Sequence, residues 1–382
     1  MMCLLTLGSL GVFWWFWRPA RVAQHRAPNP ESQAGSSTVA ASNGSPAAGS
    51  TPPPAPQTAR PAGSSQPAPA FGQGSTRGSA RPSGSFPATE GQEQGPDTFP
   101  RPVRDVAEAQ IALARLGLSS GSVDGVDGPQ TTLAVEAFQR MNHLPATGRF
   151  EPRTVELLRL ARAAFTNYVV TEADLKRLQP LSSTWSGKAQ QSALDYETIL
   201  ELVAEKTRAH PRFLRRLNPP EVFSAPAAGT VIQVPDTDPG EVSPCAFIRV
   251  ALAARTLEVF DAQSNLMAHF PCSIAQRVEK RPAGELHVAS IAPNPNYTFD
   301  PALFPESPEA AQLGHKLILP PGPNNPVGVA WIGLDKPGYG IHGTPLPEQV
   351  GRTESHGCFR LANWNAEYLL KTVRIGTPVY VE

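Results

Sequence analysis

The chain has 382 residues, and its 33 lysines and arginines balance 33 aspartates and glutamates, for a net charge of zero. That balance argues against a dominant nucleic-acid or anionic-membrane partner, where a basic excess is expected. Forty-two prolines and 31 glycines are too many for one globule, so they must be concentrated in linkers and turns.

Residues 1–18 carry no charge from Cys3 to Trp17, and Arg18 and Arg21 come next. The run is short for a spanning helix, but Trp14, Trp15 and Trp17 suit a membrane interface. No basic segment precedes it and no small-residue cleavage site comes after it. An uncleaved export signal or membrane anchor is therefore expected. Residues 19–100 are mostly Pro, Ala, Gly, Ser, Thr and Gln. Such a tract buries too little apolar surface to offset chain entropy, so it reads as a disordered linker. A linker of this length lets the later domains work at a distance from a membrane.

Residues 101–165 read as three helices. Val106, Gln110, Leu113 and Leu116 recur at helical spacing, as do Ala134, Phe138 and Met141. Pro129 and Pro152 sit where a first helical turn tolerates proline. A Gln in the first helix, "DGVDGPQT", "AVEAFQ" and "TGRFEPRT" together resemble the peptidoglycan-binding domain family.

Residues 166–240 give an amphipathic helix with Ile199, Leu202 and Val203. A second helix opens at Pro211 and buries Leu214 and Leu217, and the strand "GTVIQVP" begins at Gly229. This αα/β order resembles the LysM module, which binds N-acetylglucosamine polymers. Its first strand is not visible, and "LQPLSSTWSGKAQQSA" intrudes before the helices. The plain alternative is a spacer packed on the last domain.

Residues 244–382 alternate apolar and polar in short strands: "FIRVALAARTLEVFD", "LMAHFPCSIA", "GELHVASIA", "VGVAWIGL" and "TPVYVE". Dense prolines between them exclude long helices. Only "NWNAEYLLKTV" reads as a helix, with Asn363 as its expected N-cap. The fold class is therefore multidomain α+β: a small three-helix bundle, a LysM-like αα/β segment, and a mainly β domain with one C-terminal helix.

The chemistry-bearing residues cluster late in the chain. None of Cys3, Cys245, Cys272 and Cys358 forms a C-x-x-C pair, so no zinc knuckle or redox dithiol is suggested. Two separate small buried thiols at Cys245 and Cys272 are favoured over a disulfide. A zinc site from His342, His356 and Cys358 fits poorly, because the histidines lie 14 positions apart with prolines and glycines between. A nucleophilic cysteine fits better. It needs a base, which His342 can supply, and a nearby cation or backbone dipoles. Gly357 before Cys358 lets the backbone turn and present N–H groups. Arg360, two residues on, shares a face with Cys358 in an extended chain and can clamp a carboxylate.

His342-Gly343, with Ser355-His356-Gly357-Cys358-Phe359-Arg360 further along, resembles the motif of the L,D-transpeptidase catalytic domain of YkuD type. "PAGELHV", "PGPNNPVG" and "YGIHGT" support the likeness. Cys272 and Tyr297 depart from it, the latter at a common Trp. The resemblance implies Cys358 as nucleophile, His342 as base and the Gly343 carbonyl as its orienter. It also implies backbone N–H groups of His356, Gly357 and Cys358 for the oxyanion, with Ser355 and Arg360 in the substrate-binding set. No metal and no cofactor is called for. The implied donor is a tetrapeptide stem of peptidoglycan, cut at its third residue with loss of D-alanine and joined to an amine of another stem. A carboxypeptidase, a hydrolase of cross-links or of a lipoprotein anchor, and an inactive wall-binding scaffold are the alternatives. The implied partners are the stem peptides and glycan strands of peptidoglycan. The implied place is the bacterial cell envelope, with attachment to the inner membrane through residues 1–18.

Overall fold

Two short strands, β1 (Arg101–Pro102) and β2 (Arg159–Leu160), pair antiparallel and tie together the ends of the helical module. Between them run α1 (Val106–Arg115), α2 (Pro129–Met141) and α3 (Pro152–Leu157). Asp105 caps α1 by accepting the Glu108 N–H at 2.8 Å, a bond worth about 1 kcal/mol. Two buried glutamines explain the twice-repeated turn motif. Gln110 accepts from the N–H groups of Asp124 and Gly125 and donates to Asp124, Val126 and Thr131. Gln139 does the same for the second turn, bonding Thr147, Gly148, Arg149 and Thr154.

This computed structural model describes residue 86 and residues 98–304, 307–353, 355 and 357–382. The expected anchor, nearly all of the expected linker, and His356 lie outside the described residues. Among the described residues no helix is long and apolar enough to cross a membrane. All of them fall within one compact unit, Arg77–Glu382.

Three expectations change in the bundle. Leu116 is exposed because it lies just past the last turn of α1, and Met141 ends α2 half in solvent. Leu113, Ala134 and Phe138 lie in the core as expected, joined there by Ile111 and Val135. Phe86, from the tract expected to be a disordered linker, stacks on Phe150 with centroids 4.4 Å apart.

The next segment has the strand that was not visible in the sequence. β3 (Phe165–Val169) pairs antiparallel with β4 (Val231–Pro235). Between them lie α4 (Glu172–Lys176), α5 (Trp185–Gln190), α6 (Ile199–Lys206), α7 (Pro211–Leu217) and α8 (Glu221–Ser224). Ile199, Leu202, Val203 and Leu214 pack against Ile232 and Val234, while Leu217 is only partly buried. The intruding stretch folds as α5, and Trp185 stacks on Phe299 of the last domain at 4.2 Å. The Leu194 N–H also donates to Pro321 O at 2.9 Å. The segment is thus grown into the last domain.

That domain is built on β5 (Phe247–Ala251), β6 (Thr256–Phe260), β7 (Leu266–Pro271), β8 (Gly284–Pro293), β9 (Tyr297–Phe299), α9 (Pro308–Gln312), β10 (Leu317–Leu319), β11 (Ala330–Leu334), β12 (Gly340–His342), β13 (Phe359–Arg360), α10 (Asn363–Thr372) and β14 (Pro378–Val381). Every expected strand is present; α9 is an addition. Eight strands run in the order β13-β12-β11-β8-β14-β5-β6-β7, and β9 with β10 form a separate ribbon. The β12–β13 and β5–β14 pairings are parallel. Beyond β7, Ser273 bridges Arg360 and Ala275 bridges Ser355, so the two edges of the sheet meet. Closure removes exposed edges and holds β13 from both sides. Phe270 and Phe359 are fully buried inside, each worth about 1.5–3 kcal/mol of transfer free energy. Cys245 and Cys272 are separate free thiols.

The bundle is bolted to this domain. Arg140 of α2 pairs with Glu258 of β6, which also holds Arg249 at 2.6 Å and His269 at 3.1 Å. Gln130 donates to Val350 O at 2.6 Å, and Asn365 of α10 donates to Ser119 at 3.1 Å.

Candidate active site

The parallel pairing of β12 with β13 sets Ile341 beside Phe359 and His342 beside Arg360. Successive side chains in a strand point to opposite faces. Ile341 and Phe359 go into the core, so His342 and Arg360 share the other face. Cys358 directly precedes Phe359, in the bend that leads into β13. Across β11, Trp331 pairs with His342 and stacks on its ring, centroids 5.7 Å apart and planes 22° apart. One face therefore carries Trp331, His342 and Arg360 in a row, with Cys358 in the bend just before β13.

His342 Nδ1 lies 2.7 Å from Gly343 O. A carbonyl only accepts, so Nδ1 carries the proton and Nε2 keeps a lone pair. Burial lowers the imidazole to about 4, with the Arg360 charge adding and the Gly343 bond opposing. The neutral ring is thus the resting form across the neutral range. Burial also pushes the Cys358 thiol up, against the Gly340 N–H and the Arg360 guanidinium. Its sulfur lies 3.6 Å from Gly338 O, in the turn leading to β12. Tyr297 is close enough that a Cys358 thiolate would raise its phenol, although burial is the larger cause. Such a pair suits proton transfer during attack, rather than a standing thiolate–imidazolium pair.

Ser355 makes the turn. Its hydroxyl donates to Cys358 O at 2.5 Å and accepts the Gly357 N–H at 3.3 Å. That bond engages one of the N–H groups expected for an oxyanion. A Cβ on Gly357 would meet nothing nearer than Tyr339 at 3.8 Å, so neither space nor positive φ demands glycine there. Gly343 is different: a Cβ would lie 2.1 Å from Asn363 Oδ1. Arg360 exchanges backbone hydrogen bonds with Ser273 and borders a crevice with Thr344, Leu346 and Gln349.

Asn363 is not the N-cap of α10; Ala362 occupies that position. Its Oδ1 accepts from the N–H groups of Val329 (3.3 Å) and Thr344 (3.0 Å). Its Nδ2 donates to Glu205 (2.9 Å) and to Pro323 O (3.1 Å). Sequence reading singled out neither Trp331 nor this use of Asn363. The alternation of "AWIGL" could have put Trp331 on one face, but only strand pairing sets it on His342. Among the described residues no group of three His, Cys, Asp or Glu side chains is placed to hold a metal.

Residues 246–381 match the family model described as "L,D-transpeptidase catalytic domain" (YkuD). Residues 103–158 match one described as "Putative peptidoglycan binding domain". The chain is 27% identical over 182 residues to "Putative L,D-transpeptidase YkuD" of Bacillus licheniformis, covering 48% of this chain and 92% of that protein. It is 36% identical over 105 residues to "Putative L,D-transpeptidase YqjB" of Bacillus subtilis, covering 26% of this chain and 51% of that protein. Among solved structures it is similar to the L,D-transpeptidase from Xylanimonas cellulosilytica, at 15% identity and a TM-score of 0.32, covering 76% of this chain and 100% of that one.

Proposed function

We propose, for a chain that carries a YkuD-type L,D-transpeptidase catalytic domain behind a peptidoglycan-binding domain, that it cross-links wall peptides through an acyl-enzyme on Cys358. The observation that supports this is the pairing of His342 with Arg360 across β12 and β13, with Cys358 in the bend just before β13 and His342 Nδ1 committed to Gly343 O. His342 Nε2 takes the thiol proton as sulfur attacks the carbonyl of the third residue of a tetrapeptide stem. The carbonyl carbon gains a C–S bond and its oxygen becomes an oxyanion, which the Cys358 N–H stabilises. The C–N bond to D-alanine then breaks, and the imidazolium returns its proton to the leaving amine. A side-chain amine of a second stem attacks the thioester, His342 takes its proton, and the C–S bond breaks as Cys358 regains it. Arg360 binds a substrate carboxylate on the same face.

The reaction runs in the cell envelope. The bundle holds the catalytic domain on the polymer, and any membrane attachment belongs to residues 1–18. The 165–235 segment acts as a scaffold packed on the catalytic domain. A LysM-like glycan affinity for it is a separate proposal, tested by binding to peptide-free glycan strands.

The test is mass spectrometry of products from a purified disaccharide-tetrapeptide. A dimer joined through third residues, with D-alanine released and a Cys358 adduct trapped, supports the proposal. A tripeptide as sole product makes the protein a carboxypeptidase. Unchanged substrate with native protein overturns the catalytic reading in favour of a wall-binding scaffold.

A further inference from the structure

The Gly343 carbonyl that orients His342 and the Thr344 N–H that Asn363 holds belong to one peptide unit. A peptide group is planar, so fixing its N–H end fixes the direction of its oxygen. Asn363 is fully committed: two N–H groups arrive at Oδ1 and both Nδ2 protons leave. Gly328 and Gly343 close around that amide so tightly that a Cβ on either would lie about 2 Å from Oδ1. On the donor side the amide is held by Pro323 O and by Glu205, the one side chain of the two, which reaches it from α6 of the preceding segment.

Glu205 is an unusual anchor. Its second oxygen accepts the Tyr196 hydroxyl at 3.0 Å. Burial raises its carboxyl to about 7, against the bonds from Asn363 and Tyr196, while the charges of Glu367 on α10 and Glu201 on α6 push the same way. Glu201 is itself held by Asn324 at 2.6 Å, and Arg177, whose charge also feels Glu205, is committed to Asp195. Among the described residues no cation forms a salt bridge with this largely desolvated carboxyl, and withdrawing such a group from water is costly. Its bonds run instead toward the histidine loop.

We propose that Glu205 is a positioning residue for His342, acting through Asn363 and the Gly343–Thr344 peptide, so that the segment before the catalytic domain completes its active site. This rests on His342 being the base, and it needs a readout that does not depend on turnover. In Glu205→Gln one amide oxygen still accepts from Asn363, and the amide nitrogen can donate to Tyr196. In Glu205→Ala the Asn363 amide loses one of its two Nδ2 acceptors and keeps only Pro323 O, which loosens its hold on the 343–344 peptide.

The experiment is imidazole nitrogen NMR of the full chain, with kinetics on the disaccharide-tetrapeptide. Native protein and Glu205→Gln should show His342 as the Nδ1–H tautomer. Glu205→Ala should show mixed tautomers and a kcat lowered about tenfold or more with KM little changed. Tyr196→Phe, which spares the Asn363 bond, should behave as native and guards against a general packing defect. A single Nδ1–H tautomer in folded Glu205→Ala overturns the proposal. So does a loss in Glu205→Gln as large as in Glu205→Ala. If the tautomer shifts but native protein turns over no stem peptide, the positioning holds and the proposed function fails.

Discussion

The indole of Trp331 lies against the imidazole of His342, centroids 5.7 Å apart, and closes that ring off from water. With burial the largest cause, the imidazole falls from its ordinary 6.5 to about 4. The sign of that shift has two consequences. Activity measured as kcat/KM should persist in acid until about pH 4, where His342 gains a proton and can no longer act as base. Between pH 6.5 and 4 the unfolded chain binds a proton that the folded chain refuses, so this contribution to stability declines as pH falls through that window and is complete above it. Trp331→Ala should move the acid limb of the pH–rate profile toward 6.5. An unmoved limb would separate the indole from the control of His342.

Gly343 and Gly357 should respond in opposite ways to the same methyl group. Gly343→Ala drives a Cβ to within 2.1 Å of Asn363 Oδ1, so the histidine loop must shift. A loss of about 1–3 kcal/mol in stability and about a hundredfold in kcat is expected. Gly357→Ala meets nothing nearer than 3.8 Å and should melt at the native temperature. Thermal melts of both proteins, with rates on the stem peptide, check the pair. Equal melting losses would contradict the crowding argument.

Glu258 should carry the acid sensitivity of the joint between bundle and sheet. Burial pushes its carboxyl up, but His269, Arg249 and Arg140 together hold it at about 2. A depressed folded value means that this stabilisation is present above the unfolded carboxyl's value near 4.5 and is lost as pH falls from there through 2. Glu258→Gln should cost about 1–3 kcal/mol at neutral pH and flatten that acid slope in denaturant titrations. An unchanged slope would move the acid sensitivity elsewhere.

The three cysteines among the described residues should separate by alkylation. Cys272 is fully buried, its thiol pushed up to about 12, and should stay unmodified until the chain unfolds. Cys358 is partly exposed with a raised thiol, so its alkylation should be slow at neutral pH and quicken as pH rises. Fast, pH-independent labelling of Cys358 from pH 5 to 8 would instead indicate a standing ion pair with His342. Peptide mapping after iodoacetamide distinguishes these outcomes.

Much of the fold was legible in one dimension, because the signals are local. Alternation along "FIRVA" and "TPVYVE" reports a half-buried strand wherever that strand pairs, whereas β6 is buried on both faces. Proline opens α2 and α3 for reasons confined to one helical turn. The candidate site residues were marked by the resemblance that His342-Gly343 and Ser355 to Arg360 carry, which is also confined to short stretches. β3 stayed hidden because its partner β4 lies more than sixty residues away and supplies the pairing that makes it a strand. Asn363 looked like a cap because a sequence shows only the neighbours along the chain.

What the sequence by itself determined is therefore the set of groups and their local geometry: a thiol, an imidazole, a guanidinium and the glycines beside them. Only the tertiary structure decided which of them meet. The parallel β12–β13 pairing set His342 beside Arg360, with Cys358 just before β13, and closure through Ser273 held β13 in place. Asn363 left its own helix for the histidine loop, and Glu205 arrived from another segment to hold it. A hydrogen bond spanning 158 positions has no signature at either end of the chain. It exists because a buried amide must find partners for every donor and acceptor it carries, and the fold chooses which are within reach.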